Sequence, residues 1–354
     1  MPSHASVVSP TSKERSSTLS YRQETLQENA GDEYSPGSHV KRSQSQRRSM
    51  PAYFSKQPGT RAAHVKMPRG GADKNSHNET HKKHHECHWS YDGVEGPKPD
   101  NWGDLVFCMP GSVCATGSVQ SPIEIPSGLT EDTANLELEN YQRGFVKFDV
   151  DVDGHATQVV IKEGGAAPSV ESVDVLGQGK FVLQQFHFHF GSDDSQGAEH
   201  KIDDAGHGFP MEIHFVHAKE GKSMDEALKE PGNVLVLGVL LQVEDKPADN
   251  TTDAALQVII DKIGVATDSA KKLKLGDIVG PITSYYNYKG SLTTPPCTEG
   301  LEWIVLDSHP SVKKTTLQAL RDKTPKVPKN NFRPYYKTSQ DRQVKKYIMT
   351  TQLE

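Results

Sequence analysis

One ten-residue segment, Phe181–Phe190, constrains this chain more than any other part of its sequence. Its sequence FVLQQFHFHF is rich in aromatic and branched residues, which predicts a β-strand. The side chains of a strand alternate between its two faces. One face then carries Phe181, Leu183, Gln185, His187 and His189, and the other carries Val182, Phe186, Phe188 and Phe190. His187 and His189 therefore project side by side, either as ligands of one metal ion or as two structural histidines on a half-exposed strand.

A second predicted strand, Met211–His217, offers a third imidazole. His214 shares a face with Glu212, two residues earlier, as His187 does with Gln185. A catalytic zinc site uses three protein ligands and an open position for water, and acceptors behind the ligands fix each imidazole tautomer. Because core packing does not explain this repeated acceptor-x-His pattern, we predict a zinc site with three ligands: His187, His189 and His214.

The ligand type favours zinc over copper or iron, although an all-histidine set does not decide the metal by itself. The alternative is a site with two histidines and one carboxylate. That site requires Glu212 to turn inward as a ligand instead of supporting His214 from behind.

Residues 1–85 differ in composition from the rest of the 354-residue chain. They contain few aliphatic side chains and many Ser, Gln, Lys, Arg and Gly, with 14 Lys and Arg against 7 Asp and Glu. Residues 86–354 carry 26 against 39. A segment that cannot bury enough apolar surface does not offset its ordering entropy, so we predict a disordered, basic, Ser- and His-rich tail over 1–85 and one domain over 86–354.

The tail suggests two further interpretations. Its basic charge could meet nucleic acid or an anionic surface, but it lacks aromatic interleaving and a dense basic run, so we predict no specific nucleic-acid binding. A histidine-rich run near its end is interpreted as a solvated linker, with adventitious metal affinity as the alternative. The run comprises His77, His81, His84, His85 and His88.

Short runs rich in Val, Ile, Phe and Leu recur along residues 86–354, whereas helical patterns are few. The predicted strands are Phe145–Val150, Thr157–Ile161, Phe181–Phe190, Met211–His217, Val234–Val243 and Leu301–Leu306. The predicted helices are Asp225–Lys229, Ala254–Lys262 and Val312–Ala319. Many strands with sparse helices predict a mainly β domain of the α+β type.

No stretch of the sequence approaches the ~20 apolar residues of a membrane span. Met1–Leu26 lacks the apolar core of a secretory signal, and the acidic residues near the N-terminus count against a transit peptide. These segments leave the compartment open.

The chain resembles the alpha carbonic anhydrases over about residues 87–354, on motifs that occur in the family's order. These are His88–Tyr91 (HWSY), Trp102-Gly103, Gln120–Ile125 (QSPIEI), Asp153–His155 (DGH), Gln185–His189 (QFHFH), Gly197–His200 (GAEH), Glu212–His214 (EIH), Gly290–Pro296 (GSLTTPP), Trp303 and Asn331–Pro334 (NFRP).

This resemblance implies a mostly antiparallel, twisted central sheet of about ten strands, with short peripheral helices and zinc at the base of a cone-shaped cleft. It implies a carbonate dehydratase, a hydro-lyase that reversibly hydrates carbon dioxide to bicarbonate and a proton. Inhibition by sulfonamides or anions is expected as well. The rival interpretation is a binding module that keeps the fold without catalysis; such modules typically lack zinc histidines, and this chain retains all three.

Residue roles also follow from the resemblance. A zinc-bound hydroxide attacks carbon dioxide, Thr293 accepts its hydrogen bond and donates to Glu199, and His155 carries the proton away. Tyr91 and Gln158 order the water chain. Residues assigned to the substrate cleft are Val216, Val236, Leu292, Thr293, Thr294 and Trp303. The residues expected to accept hydrogen bonds from the ligand imidazoles or to support them from behind are Gln185, Glu212 and Asn331.

Four cysteines occur in the chain. The resemblance implies a Cys114–Cys297 disulfide, while Cys87 and Cys108 either form a second bridge or remain free thiols. A disulfide favours an oxidising, extracytosolic compartment. A cytoplasmic protein with reduced thiols is the alternative.

Overall fold

A computed structural model describes residues 87–205, 208–338 and 342–350. The predicted tail over 1–85 and its histidines His77, His81, His84 and His85 lie outside these residues.

Strands dominate the described part of the chain. In order they are β1 (Glu124–Ile125), β2 (Glu131–Ala134), β3 (Glu137–Glu139), β4 (Gly144–Phe145), β5 (Phe148–Val152), β6 (Thr157–Ile161), β7 (Ser169–Glu171), β8 (Phe181–Phe190), β9 (Lys201–Ile202), β10 (Met211–Lys219), β11 (Val234–Glu244), β12 (Leu273–Lys274), β13 (Ser284–Ser291), β14 (Glu299–Leu306), β15 (Ser311–Lys313) and β16 (Val344–Met349). The helices are α1 (Val173–Leu176), α2 (Met224–Ala227), α3 (Thr251–Lys262), α4 (Gly276–Val279) and α5 (Lys314–Lys323), with 3-10 turns at Pro99–Phe107 and Asp203–Ala205.

Twelve of the described strands form one mixed sheet. Its main path runs β2-β16-β13-β14-β11-β10-β8-β6-β5, and β3, β7 and β15 pair off this path. Most neighbours are antiparallel, but β11 runs parallel to β14 and β15, and β16 runs parallel to β2. The predicted mainly β architecture is confirmed. The resemblance implied about ten strands, and the sheet has twelve because the three-residue strands β3, β7 and β15 add to the nine of its main path.

The central pair β8 and β10 positions the metal centre. These strands are antiparallel, and His187 lies directly opposite His214. The aromatic side chains on the other face of β8, including Phe186 and Phe188, are fully buried in the larger core. Burial of that face therefore points the histidines to the opposite side of the sheet, towards a second core that includes Val216, Val236 and Trp303.

A bulge corrects the predicted alternation along β8. The pairing of β8 with β10 shifts by one residue and skips Gln184. An extra residue in one strand reverses which face the following side chains occupy. The prediction that Phe181 and Leu183 share the face of His187 is therefore wrong, because both residues pack in the larger core together with Phe186.

Helix α3 covers the larger core on the face away from the histidines. Ala255, Leu256, Ile259 and Ile260 are buried at helical spacing. This spacing is that of a helix with one apolar face. The predicted helix Ala254–Lys262 is confirmed within α3.

Other predicted boundaries are less accurate. The helix predicted over Val312–Ala319 begins in the structure at Lys314, because Ser311–Lys313 forms strand β15 instead. Strand β13 was not predicted, since its aromatic side chains enter both cores and so hide the alternation.

Two disulfides cross-link the described chain, one within the segment before the sheet and one between that segment and the loop that joins β13 to β14. Cys114 is bonded to Cys297 across 183 residues, and Cys87 is bonded to Cys108 across 21. The predicted Cys114–Cys297 bridge is confirmed, and the second pair is also bonded rather than free. No helix within the described ranges is long and apolar enough to cross a membrane.

Candidate metal centre

Three imidazoles converge between β8 and β10. His187 and His189 stand on β8 and His214 on β10, and their ligand atoms all lie within 4.8 Å of one another. His189 and His214 are buried, whereas His187 is only partly buried. The metal centre is therefore approached from the side of His187.

On β8, one ring N–H of each histidine donates a hydrogen bond to an oxygen behind it. Nδ1 of His187 lies 2.9 Å from Oε1 of Gln185, and Nδ1 of His189 lies 2.7 Å from the backbone oxygen of Asn331. Because these oxygens only accept, each Nδ1 carries the proton. Nε2 is therefore the ligand atom of both histidines.

On β10 the roles of the ring nitrogens are exchanged. Nε2 of His214 lies 2.8 Å from Oε1 of Glu212, so it carries the proton and leaves Nδ1 as the ligand atom. The residues predicted to support the ligands, Gln185, Glu212 and Asn331, all lie where expected, with Asn331 acting through its backbone. The alternative in which Glu212 itself is a ligand is disfavoured, because its carboxylate faces the far side of the imidazole.

These residues fit a zinc ion. Nε2 of His189 is buried and has no hydrogen-bond partner in the described residues. An unpartnered buried nitrogen costs free energy unless a bound group, such as a metal ion, takes its lone pair. Burial lowers the pKa of all three imidazoles, that of His189 to about 4. Metal ligation requires neutral imidazoles, and three neutral nitrogens with one open position suit catalytic zinc.

Glu212 lies at the centre of a hydrogen-bonded network that sequence reasoning did not predict. Its carboxylate accepts from the rings of His214 and His200 at 2.8 and 2.7 Å, and from the backbone N–H groups of Glu199 and His200, both at 2.8 Å. Burial favours a raised pKa for the Glu212 carboxyl, but His200 and His214 outweigh it and hold the pKa well below its usual range.

His200 extends this network to Tyr288. Its Nε2 lies 2.6 Å from the Tyr288 hydroxyl, which in turn lies 2.9 Å from the Ser121 hydroxyl. His200 stands next to Glu199 in the GAEH motif, and that position was the only sequence signal for it.

Glu199 lies beside the metal ligands and is fully buried. Its Oε2 is 3.6 Å from Nε2 of His189 and 3.8 Å from Nδ1 of His214. Its Oε1 accepts from the backbone N–H of Arg333 at 2.7 Å. Burial raises the pKa of Glu199 to about 7, although His214, the Arg333 N–H and the Thr293 hydroxyl each lower it. The structure thus brings Glu199 and Thr293 together.

The side chains predicted to line the cleft form one apolar wall. Val216, Val236, Leu292 and Trp303 all belong to the second core. The Trp303 ring lies 4.8 Å from that of His214, which places this wall against the metal centre. Thr294 follows Thr293 and is also buried.

His155 is held against Trp89. Its ring stacks on Trp89 at 3.9 Å, and its Nε2 lies 2.9 Å from the Trp89 backbone oxygen. Its backbone carbonyl accepts from Nδ2 of Asn331 at 3.2 Å, which connects it to the residue behind His189.

The two residues predicted to order water lie near the centre. Gln158 on β6 is paired directly with His187. Tyr91 is buried, and burial together with the carboxylates of Glu199 and Asp153 raises the pKa of its hydroxyl.

A mostly β fold with three convergent histidines, each supported by an acceptor, defines a catalytic metalloprotein of the zinc type. Residues 97–348 match the family described as eukaryotic-type carbonic anhydrase. The chain belongs to this family.

Curated relatives agree with the family match. Carbonic anhydrase 7 of Mus musculus is 32% identical over 241 residues, covering 67% of this chain and 86% of the relative. A carbonic anhydrase of Neisseria gonorrhoeae is 34% identical over 253 residues, covering 70% and 83%. A carbonic anhydrase of Pectobacterium carotovorum is 34% identical over 223 residues, covering 63% and 77%. The predicted zinc-dependent reversible hydration of carbon dioxide to bicarbonate is confirmed at the level of the family.

Proposed function

We propose that this chain is an active carbonate dehydratase in which His187, His189 and His214 hold the zinc ion. The observation that carries the proposal is the convergence of three neutral imidazoles, one with a buried, unpartnered Nε2. A zinc ion held by these residues would act as a Lewis acid and make hydroxide available near neutral pH, for which carbonic anhydrase is the standard example.

Thr293 and Glu199 orient the attacking water. Glu199 is a fixed acceptor, since its Oε1 is tied to the Arg333 N–H. The Thr293 hydroxyl donates to Glu199, in keeping with its lowering of the carboxyl pKa. With its proton committed in this way, the Thr293 oxygen accepts from the water and turns a lone pair of that water towards carbon dioxide.

The apolar wall receives the substrate. Carbon dioxide has no dipole, so a dry surface of Val216, Val236, Leu292 and Trp303 suits it better than polar anchors. The backbone N–H of Thr293 meets a substrate oxygen, and Thr294 contacts bicarbonate as it forms.

Proton removal needs a carrier. An acid of pKa ≈ 7 that is reprotonated at the diffusion limit releases its proton at only about 10³ s⁻¹. We assign this role to His155, with Tyr91 and Gln158 ordering the water between. One ring nitrogen of His155 is bonded to Trp89 and the other, Nδ1, is buried, so the ring must turn away from Trp89 to exchange protons with water.

Domain limits and compartment complete the proposal. We place the catalytic domain at residues 86–354, in keeping with the family match over 97–348. Two disulfides favour an oxidising, extracytosolic compartment.

Zinc content and carbon dioxide hydration, measured on the full chain, test the proposed function. We expect one zinc per chain and hydration well above buffer, with both lost in His187→Ala. A folded, zinc-loaded chain without hydration above buffer would contradict the assignment as an enzyme and favour the non-catalytic binding module.

A further inference from the structure

Two buried side chains outside the metal centre, Gln120 and Arg333, are hydrogen-bonded to each other. Gln120 is only 4% exposed and Arg333 only 2%. Oε1 of Gln120 accepts from Nη1 of Arg333 at 3.0 Å. Burying an arginine and an amide is costly unless their hydrogen-bonding groups are satisfied, so their partners show what the pair supports.

Arg333 fixes Glu199. Its backbone N–H donates to Oε1 of Glu199 at 2.7 Å, and its guanidinium is planar with donors in fixed directions. Acceptors on several sides therefore hold the position of this residue, and with it the carboxylate of Glu199. They are Oε1 of Gln120 at 3.0 Å, the Ser121 oxygen at 2.8 Å, the Tyr336 hydroxyl at 2.7 Å and the Cys114 oxygen at 3.4 Å.

Gln120 fixes the loop that carries Thr293. Its Nε2 donates to the backbone oxygen of Cys297 and to Oε1 of Glu299, both at 3.0 Å. The Cys297 N–H closes a turn onto the Thr294 oxygen at 2.8 Å, so the Cys297 carbonyl belongs to the turn Thr294–Cys297, which directly follows Thr293 in the loop. Cys297 has a φ of 60°, which is unfavourable for a residue other than glycine. Contacts from outside the turn must therefore maintain it.

The orientation of the Gln120 amide is decided by these partners. Its oxygen meets the guanidinium of Arg333, and its NH₂ meets the Cys297 carbonyl and the Glu299 carboxylate. A flipped amide would bring donor against donor and acceptor against acceptor. The Gln120 side chain thus links Arg333 to the turn at Cys297 in one defined geometry.

We propose that Gln120 and Arg333 form a brace that sets the separation of Glu199 and Thr293. Arg333 holds Glu199, and Gln120 holds the loop that carries Thr293. Both are positioning residues, because they act through the pair that touches the attacking water. This inference rests on the proposed roles of Thr293 and Glu199. The hydrogen bonds of the brace go to Glu199, to the loop and to Ser121, Tyr336 and Cys114, and not to the ligand histidines. Zinc binding is therefore expected to be independent of the brace.

The test is a double-mutant cycle in the full, zinc-loaded chain. Gln120→Leu removes both ends of the amide bridge at similar volume, and we expect kcat/KM for hydration to fall about tenfold, with one zinc per chain retained. In a Thr293→Val background the same change should cost less than about twofold, because the hydroxyl it positions is gone. A full tenfold loss in both backgrounds, or no loss in Gln120→Leu alone, overturns the brace.

Two further variants keep the test decisive. If Gln120→Leu does not fold, Arg333→Lys is used in the same cycle, since lysine keeps the charge and the backbone N–H but lacks the planar fork; the same pattern of losses is expected. Asp253→Leu is the matched control, because Asp253 is buried on α3 and accepts from the N–H and Nζ of Lys313 at 3.0 and 2.9 Å. It should lower stability while kcat/KM stays unchanged.

Failure of the brace is distinguishable from failure of the proposed function. If Thr293→Val alone leaves kcat/KM unchanged, the role of Thr293 is wrong. If Thr293→Val is impaired but the effect of Gln120→Leu is independent of it, only the brace is wrong.

Discussion

The two halves of the catalytic centre are held in place by different kinds of contact. The metal ligands stand on β8 and β10, where an antiparallel ladder places His187 opposite His214. Thr293 lies in the loop between β13 and β14, which is attached to the rest of the domain by a few separate contacts: side chains such as Gln120, the Val113 N–H on the Pro296 oxygen and the Cys114–Cys297 disulfide.

The two buried carboxylates reflect the same difference. Glu212, behind the ladder ligand His214, accepts from four donors, and its pKa is held well below the usual range. Glu199, which serves Thr293, is fixed through one backbone N–H, and burial raises its pKa to about 7. When one contact of a β-ladder is lost, many hydrogen bonds remain to hold the strands. The position of a loop depends on each of its few contacts. Single substitutions should therefore disturb the loop without disturbing the ligands.

Metal removal should have the largest effect on activity and little effect on the ladder. Chelation of zinc from the full chain is expected to reduce hydration to the buffer level, while far-ultraviolet circular dichroism stays unchanged and added zinc restores activity. Loss of the strand signal on chelation would show that β8 and β10 depend on the metal, and would contradict the view that their ladder holds the ligands by itself.

Loss of the Cys114–Cys297 disulfide should lower the stability of the domain by releasing the loop that carries Thr293. We expect Cys114→Ser with Cys297→Ser to lower the free energy of unfolding by about 2–5 kcal/mol, because the bridge closes a loop of 183 residues. Denaturant unfolding measures this change. Zinc content should remain at one per chain; if it fell in proportion to stability, the two halves would not be independent.

Thr293→Val tests the loop without unfolding it. Valine keeps the shape but not the hydroxyl, so we expect kcat/KM for hydration to fall about 100-fold, with zinc content unchanged. Thr294→Val is the neighbouring control and should have a smaller effect. Equal losses in the two variants would remove the special role of Thr293.

His155→Ala should give the smallest effect. The proposed carrier touches neither half directly, so kcat/KM should be unchanged while kcat in weak buffer falls about tenfold. Added imidazole should restore kcat by carrying the proton itself. If imidazole gave no recovery, the shuttle role would be abandoned.

Much of the metal centre could be predicted from local sequence. Alternation within β8 placed His187 and His189 on one face, alternation within β10 offered His214 as the third ligand, and the acceptor-x-His pattern identified Gln185 and Glu212 behind them; the structure agrees. The same rule failed for Phe181 and Leu183. The bulge at Gln184 is a property of the pairing with β10, and one strand read alone does not reveal it.

The residues missed by sequence reasoning act over long separations. His200, Tyr288, Gln120 and Arg333 acquire their roles from contacts between segments that are distant in the chain. Family resemblance supplied Thr293 and Glu199, since no local pattern joins a loop threonine to a carboxylate of another loop.

The sequence by itself thus determined a mainly β domain, the three histidines and the acceptors behind two of them, because side-chain direction in a strand repeats every two residues. Only the tertiary structure decided how Thr293 meets Glu199 and what holds them there. Those contacts depend on which strands pair, in which register, and on how buried polar groups find partners far along the chain.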